Sequence, residues 1–229
     1  MRKILDKIFF RSNNLDFISK SIKDLTKKTS AIKIFKAINS FTSESEVRYV
    51  GGFVRKILNN EKVDDIDLAT NLEPNQVCEA LKKNGIDCFE SGIDHGTITA
   101  TIGDTKFEIT TLRKDISTDG RHAKVDFSKN WKEDASRRDF TINSIYSDRD
   151  GNLFDPYNGK KDLENGFVNF IGNSDKRIKE DYLRILRYLR FFLNYSKQPH
   201  SVETIKSLKV NIGGISKLSK ERLLDELKK

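Results

Sequence analysis

Arg48-Tyr49-Val50-Gly51-Gly52-Phe53-Val54-Arg55, followed by Asp65-Ile66-Asp67-Leu68-Ala69-Thr70, is the stretch on which the reading of this chain turns. Arg48 to Val50 is a short strand-like run ending on two glycines, and Val54 to Leu58 then follows a helical pattern. A Gly-Gly turn that opens a helix leaves backbone N–H groups and a helix N-terminus free to meet phosphate. Arg55 adds a charged fork for the same anion. Ile66 to Thr70 reads as the next strand. Residues i and i+2 of a strand face the same side, so Asp65 and Asp67 are expected to present paired carboxylates about 7 Å apart. Hard oxygen donors of this kind suit Mg²⁺. Alone, each feature is usually a solvated strand end or a plain turn. Their adjacency, in this order, points to nucleotide chemistry.

Downstream, Pro74 to Asn84 reads as a helix with proline in its first turn. Thr97 to Ile102 and Lys106 to Leu112 flank Gly103-Asp104 and form a hairpin. In Phe107-Glu108-Ile109-Thr110-Thr111 the apolar residues alternate inward and leave Glu108 on the polar face, as a candidate third carboxylate of a two-metal site. The expected fold class is therefore α+β, a mixed sheet with helices to one side. Residues 113–130 are polar around Asp119-Gly120 and read as a mobile loop. Helix and strand resume from Glu133 to Tyr146, and Asp155-Pro156-Tyr157-Asn158-Gly159 is a boundary-like connector. From Lys176 the pattern is helical to the end, interrupted near Pro199 and Gly213-Gly214. Upstream, residues 1–45 read as polar helices with Leu25, Ile32, Ile34, Phe35, Ile38 and Phe41 at roughly helical spacing, an N-terminal cover or adaptor.

Two further clusters carry chemistry. In Arg137-Arg138-Asp139 the arginines suit a triphosphate, and the acid could accept a hydrogen bond from a ribose hydroxyl. A plain ion pair at a helix start is the competing reading. Arg177 to Phe192 reads as one helix on which Asp181 and Arg184, three residues apart, share a face. Arg184, Arg187 and Arg190 continue that face, beside an apolar stripe of Leu183, Leu186, Leu189 and Leu193. An aspartate can accept from the amino group of cytosine or adenine while an arginine donates to the adjacent ring nitrogen. Such a pair reads a base edge without a nucleic-acid template. A salt bridge on a basic helix is the plain alternative.

Composition is permissive. The 229 residues are 36% hydrophobic and 33% charged, as in a folded globular chain, and the net charge of +8 favours a polyanionic partner. Cys78 and Cys88 have no metal-site spacing and read as reduced thiols. No apolar run approaches a membrane span. The basic N-terminus is interrupted by Asp6 and Asp16, so the cytoplasm is the default compartment, and an organellar presequence stays open.

Taken together, these residues resemble the class II tRNA nucleotidyltransferase and bacterial poly(A) polymerase family, within the polymerase-β-like nucleotidyltransferases. The resemblance runs from about Val50 to Leu227 through GGFVR…DIDLAT, HGTITA, FEITTLRKDISTDGRHA, DASRRDFTIN, DPYNGKKDL, EDYLRILRYLRF and LSKERLLDEL. It implies a catalytic head over 46–160 and an all-helical, base-selecting neck over 161–229. It also implies Asp65 and Asp67 as metal ligands, with Glu108 the third catalytic carboxylate and Mg²⁺ the cofactor. Gly51, Gly52, Arg55 and Arg138 would meet the incoming nucleotide, with Asp139 near its sugar. Asp181 and Arg184 would select the base, and Arg187 and Arg190 would support binding. Asp115 to Ala123 corresponds to the family's flexible loop, implicated in adding the final A. The implied reaction is attack of the tRNA 3′-hydroxyl on CTP or ATP with release of pyrophosphate.

The sequence departs from the family pattern in two places. Lys56 follows Arg55 where the family usually has an acid, which implies altered local pairing. The chain also ends soon after LSKERLLDEL, where family members usually continue with a tRNA-gripping body and tail. The expectation is a fragment or a very short enzyme. CCA addition is preferred as the family's commoner role. Poly(A) addition shares nearly every motif, while the retained loop argues against addition of CC alone. A non-catalytic RNA-binding relative would have no reason to keep Asp65, Asp67 and Glu108. Nothing in the sequence fixes the oligomeric state.

Overall fold

The computed structural model describes residues 17–92, 96–118 and 123–229. The N-terminal stretch 1–16, His95 of HGTITA and Asp119-Gly120 of the expected loop lie outside the described residues. The chain divides into two compact units, Met1–Leu112 with Tyr146–Phe154, and Arg113–Ile145 with Asp155–Lys229.

The first unit is built on a seven-stranded sheet among the described residues, in the order β3-β4-β5-β2-β1-β8-β9. Its strands are β1 (Val47–Val50), β2 (Ile66–Thr70), β3 (Asp87–Gly92), β4 (Thr97–Ile102), β5 (Thr105–Thr111), β8 (Tyr146–Ser147) and β9 (Leu153–Phe154). The β2–β5 pair is parallel, and the neighbouring pairs are antiparallel. This is the mixed sheet expected from the sequence, with β3 and β9 added to it. Period-two alternation holds in β5, where Phe107 and Ile109 are buried and Glu108 is exposed.

Residues 17–28 form helix α1 and are followed by α2 (Ala31–Asn39), which buries Ile34, Phe35 and Ile38. Tyr49 of β1 stacks on Phe53 at 4.1 Å between ring centroids and meets Phe35 at 5.0 Å. Burial pushes the Tyr49 phenol up to about 12, and its hydrogen bond with Thr26 pulls the other way. Helix α3 (Gly52–Leu58) follows β1 directly and buries Phe53, Val54 and Ile57. Helix α4 (Pro74–Lys83) starts at Pro74 behind a reciprocal Glu73–Gln76 capping box.

The second unit contains a two-stranded sheet, β6 (Arg113–Thr118) with β7 (Ala123–Phe127), and six α-helices among the described residues. The helices are α5 (Trp131–Arg137), α6 (Gly159–Asn165), α7 (Ser174–Glu180), α8 (Leu183–Tyr195), α9 (Val202–Asn211) and α10 (Lys220–Leu227). For residues 113–118 and 123–127 the sheet corrects the expectation that 113–130 is a mobile loop. Its polar residues satisfy their backbone groups by pairing with one another, and no hydrophobic alternation announces that.

A second correction concerns 177–192, which is two helices. Helix α7 ends at Glu180, Asp181 is extended (φ −155°, ψ 108°), and α8 begins at Leu183. Asp181 Oδ1 accepts from the Leu183 N–H at 3.1 Å, so its side chain serves the start of α8. The expected leucine stripe is not the packed face of α8 either. Ile185, Tyr188 and Phe191 are buried, whereas Leu189 is 42% and Leu193 83% exposed. The ring cluster of Phe140, Phe170, Tyr188 and Phe191, with centroids 4.8–6.1 Å apart, provides the larger apolar surface and sets the rotation of the helix.

Candidate nucleotidyl-transfer site

In the first unit, the turn after β1 is made by Gly51 at φ 63° and ψ −121°, a conformation in which a Cβ would clash. Gly51 caps α3 without a side chain, and the first turn of α3 carries no acid. Its leading N–H groups therefore retain their affinity for an anion. Gly52 keeps the approach open. A Cβ built on it would lie 3.8 Å from Asp67 Oδ2 and 3.9 Å from an Arg55 guanidinium nitrogen. The carboxylate of β2 and the buried Arg55 thus converge on the same glycine turn.

Parallel pairing sets Asp67 of β2 directly beside Glu108 of β5. Both therefore stand on one face of the sheet, Asp67 half-buried and Glu108 exposed. Asp65 precedes β2, is exposed, and has no side-chain partner among the described residues. Because it lies outside the ladder, strand alternation does not fix its direction. No three acidic, histidine or cysteine residues among those described are close enough to hold a metal ion by themselves. The expected cage of Asp65, Asp67 and Glu108 is therefore not assembled by the protein alone. An open set of carboxylate oxygens still fits Mg²⁺, which is commonly held by one or two carboxylates and completes its shell with water and substrate phosphate. Lys56, in the place of the usual acid, pairs with Asp64 at 3.3 Å. Hydrogen bonds from Lys56 and Lys62 hold the Asp64 carboxyl below the ordinary range.

In the second unit the expected nucleotide-binding residues are tied to acids and carbonyls. Asp134, buried in the first turn of α5, binds Arg137 at 2.7 Å and Arg138 at 3.1 Å. Asp139 Oδ1 accepts from the Phe140 N–H at 2.8 Å and from Asn143 Nδ2 at 2.9 Å. Its Oδ2 accepts from Arg187 Nε at 2.8 Å and from a terminal Arg187 nitrogen at 2.5 Å. Four donors nearly exhaust a carboxylate. Asp139 is thus the anchor of Arg187 in this state, whereas the sequence suggested a ribose acceptor. Burial would raise its pKa, but Arg187, Asn143 and the Phe140 N–H outweigh that, and the carboxyl is held below its ordinary range.

Asp181 and Arg184 do not meet as side chains. Asp181 Oδ2 accepts from Arg222 of α10 at 2.8 Å. Arg184 donates to Glu180 Oε2 at 2.5 Å and to the Arg177 carbonyl at 2.7 Å. Arg190 donates to Glu226 Oε1 at 2.7 Å, and Arg187 lies 3.8 Å from the same carboxylate. Arg177 donates to the Arg137 carbonyl and, at 2.6 Å, to the Arg138 carbonyl, which caps the end of α5.

Sequence reasoning missed Asp134, Asn143, Arg177, Glu180, Arg222 and Glu226 as partners of the site. All but Arg177 lie inside quoted motifs, so for those five the signal was present as motif membership without a role. Glu226 is the least obvious, since a 3% exposed glutamate near the end of a polar helix has no periodicity to reveal it.

A mixed α+β sheet carrying a glycine turn beside strand-borne carboxylates, followed by a helical unit rich in arginine–acid pairs, defines the class as a nucleotidyltransferase-type head with appended helices. The pattern of the poly(A) polymerase head domain matches residues 47–169. The chain belongs to that family, the class II tRNA nucleotidyltransferases and poly(A) polymerases, whose members are typically metal-dependent. CCA tRNA nucleotidyltransferase 1, mitochondrial, of Homo sapiens is 49% identical over 187 residues, covering 80% of this chain and 43% of that protein. The crystal structure of the Bacillus stearothermophilus CCA-adding enzyme in complex with CTP matches at a TM-score of 0.75 and 28% identity, covering 86% of this chain and 46% of that one. A tRNA nucleotidyltransferase complexed with a primer tRNA and an incoming ATP analog matches at a TM-score of 0.66 and 28% identity, covering 90% and 55%. The chain spans about half the length of these relatives. No helix among the described residues is long and apolar enough to cross a membrane.

Proposed function

We propose that this chain carries out the nucleotidyl transfer that adds CCA to the 3′ end of tRNA, with CTP and ATP as donors. The observation that carries this reading is the pairing of Asp67 with Glu108 beside the Gly51-Gly52 turn, in a chain of this family. In this reading residues 46–160 are the catalytic head, 161–229 the base-selecting neck and 1–45 a helical extension. Asp65 and Asp67 would hold Mg²⁺, with Glu108 as the third catalytic carboxylate. When bound, the ion favours an ionised 3′-hydroxyl and offsets charge on the phosphates. Gly51 and Gly52 let the triphosphate approach the backbone, and Arg55 and Arg138 neutralise it. The 3′-oxygen forms its bond to the α-phosphorus while the bond to the β-phosphate oxygen breaks. Pyrophosphate leaves, and the hydroxyl proton passes to a carboxylate or to water.

Base choice falls to Asp181 and Arg184. Each must exchange its present partner, Arg222 or Glu180, for the base edge. Arg187 and Arg190, fixed by Asp139 and Glu226, support binding from α8. The compartment proposed is the cytoplasm, with the mitochondrial human relative making cell fractionation the check.

Single-nucleotide extension of tRNAs lacking CCA, CA or A, with Mg²⁺ and each nucleoside triphosphate separately, tests the reading. Ordered C, C, A addition that then stops is the expected result. Unlimited addition of A would replace it with poly(A) synthesis, the activity for which the matched head domain is named. No addition by any triphosphate would overturn it.

A further inference from the structure

A cavity of about 750 Å³ in the second unit shares no residue with the carboxylate, Asp139 or Asp181 clusters. That volume is in the range of pockets that enclose small ligands, roughly 300–1,000 Å³. One wall is a flat stack, Phe192 on His200 at 3.6 Å between centroids and 18° between planes. Tyr188 fixes the imidazole by a 3.0 Å hydrogen bond between its hydroxyl and Nδ1. Phe167, 41% exposed, presents a further ring, and Asn165 and Gln198 bring amide groups. Lys161 stands exposed at the cavity with no ion-pair partner among the described residues. The acid in the lining, Asp162, already accepts at Oδ2 from Thr141 at 2.6 Å and from Asn169 at 3.1 Å.

We propose that this cavity is a second nucleotide site, taking a nucleobase against its aromatic wall and the attached phosphate on Lys161. The wall supplies the sequence-tolerant stacking by which proteins hold unpaired bases. The amides supply donors and acceptors for base edges, and Lys161 supplies the charge for phosphate. An acidic peptide would demand several cations, and a purely apolar ligand would leave the lysine and amides unused. The ligand is either a free mononucleotide or one residue of an RNA strand.

The three histidines of the chain make a selective reporter. In histidine-labelled full chain, the His200 ring signals, assigned with His95→Gln and His122→Gln, are followed while cytidine monophosphate or a short oligocytidine is titrated. A saturable shift of His200 is expected, with Lys161→Glu and Phe167→Ala each weakening it about tenfold. Both substitutions are at exposed positions, and an unchanged melting temperature separates lost binding from lost folding. A response to the oligonucleotide alone assigns the site to a strand, and a response to the monophosphate assigns it to a free nucleotide. No shift with either, or a shift indifferent to both substitutions, overturns the proposal. Repeating the titration in Asp67→Ala isolates this cavity from the proposed transfer site, because loss of transfer there leaves the His200 response intact.

Discussion

In the first unit Asp65 and Glu108 stand exposed with no side-chain partner among the described residues. In the second unit Asp139, Asp181, Arg184, Arg187 and Arg190 each hold at least one charge-assisted bond. An exposed acid stays solvated and contributes little to folding, so it is free to be committed to a ligand. A paired and buried one has been desolvated, and removing its partner leaves a charge that water cannot reach. Chemistry and stability are therefore separable in the sheet and coupled in the helices.

The largest stability effect is expected where that coupling is tightest. Asp139→Asn leaves Arg187 without its main counter-charge and should cost about 3 kcal/mol, read from denaturant unfolding. A loss within about 0.5 kcal/mol, the range of ordinary surface substitutions, would break the contrast. The same pair has a pH signature. The folded carboxyl sits below its ordinary range, whereas the unfolded one returns to about 3.9. Its contribution is thus complete above the unfolded value and is lost as pH falls through the folded one. Thermal melts taken from pH 5 downward should fall more steeply for the native chain than for Asp139→Asn.

Gly51→Ala is next. At φ 63° and ψ −121° a side chain is strained, with an expected cost of about 2 kcal/mol. Gly52→Ala meets only ordinary contacts at 3.8 Å and 3.9 Å and should fold normally. Equal melting temperatures for the two would remove the turn's special geometry. The smallest effect belongs to Arg184→Ala, which should blur selection among CTP, ATP, GTP and UTP by about tenfold, within the 1–3 kcal/mol of one base-edge contact. Competition assays with paired triphosphates measure it, and unchanged selectivity would mean the base is read elsewhere.

What the sequence revealed follows the same division. The β1–turn–α3 unit and the polar placement of Glu108 were legible because glycine position and period-two alternation are local properties of the chain. The β6–β7 pairing was not, since polar strands that pair with each other need no apolar face. The break at Asp181 was hidden because apolar spacing runs on across it, while the side chain turns to bond the Leu183 N–H. The burial of Glu226 depends on Arg190 and Arg187, partners 36 and 39 residues away, and no spacing rule connects them.

Separation of chemistry from stability in the sheet is tested most directly by Asp67→Ala, with nucleotide incorporation into tRNA and thermal unfolding measured on the same preparation. Incorporation is expected to fall on the order of 10³-fold while the melting temperature stays within a few degrees of the native value. Near-native incorporation, or a collapse of the fold accompanying the loss, would contradict it.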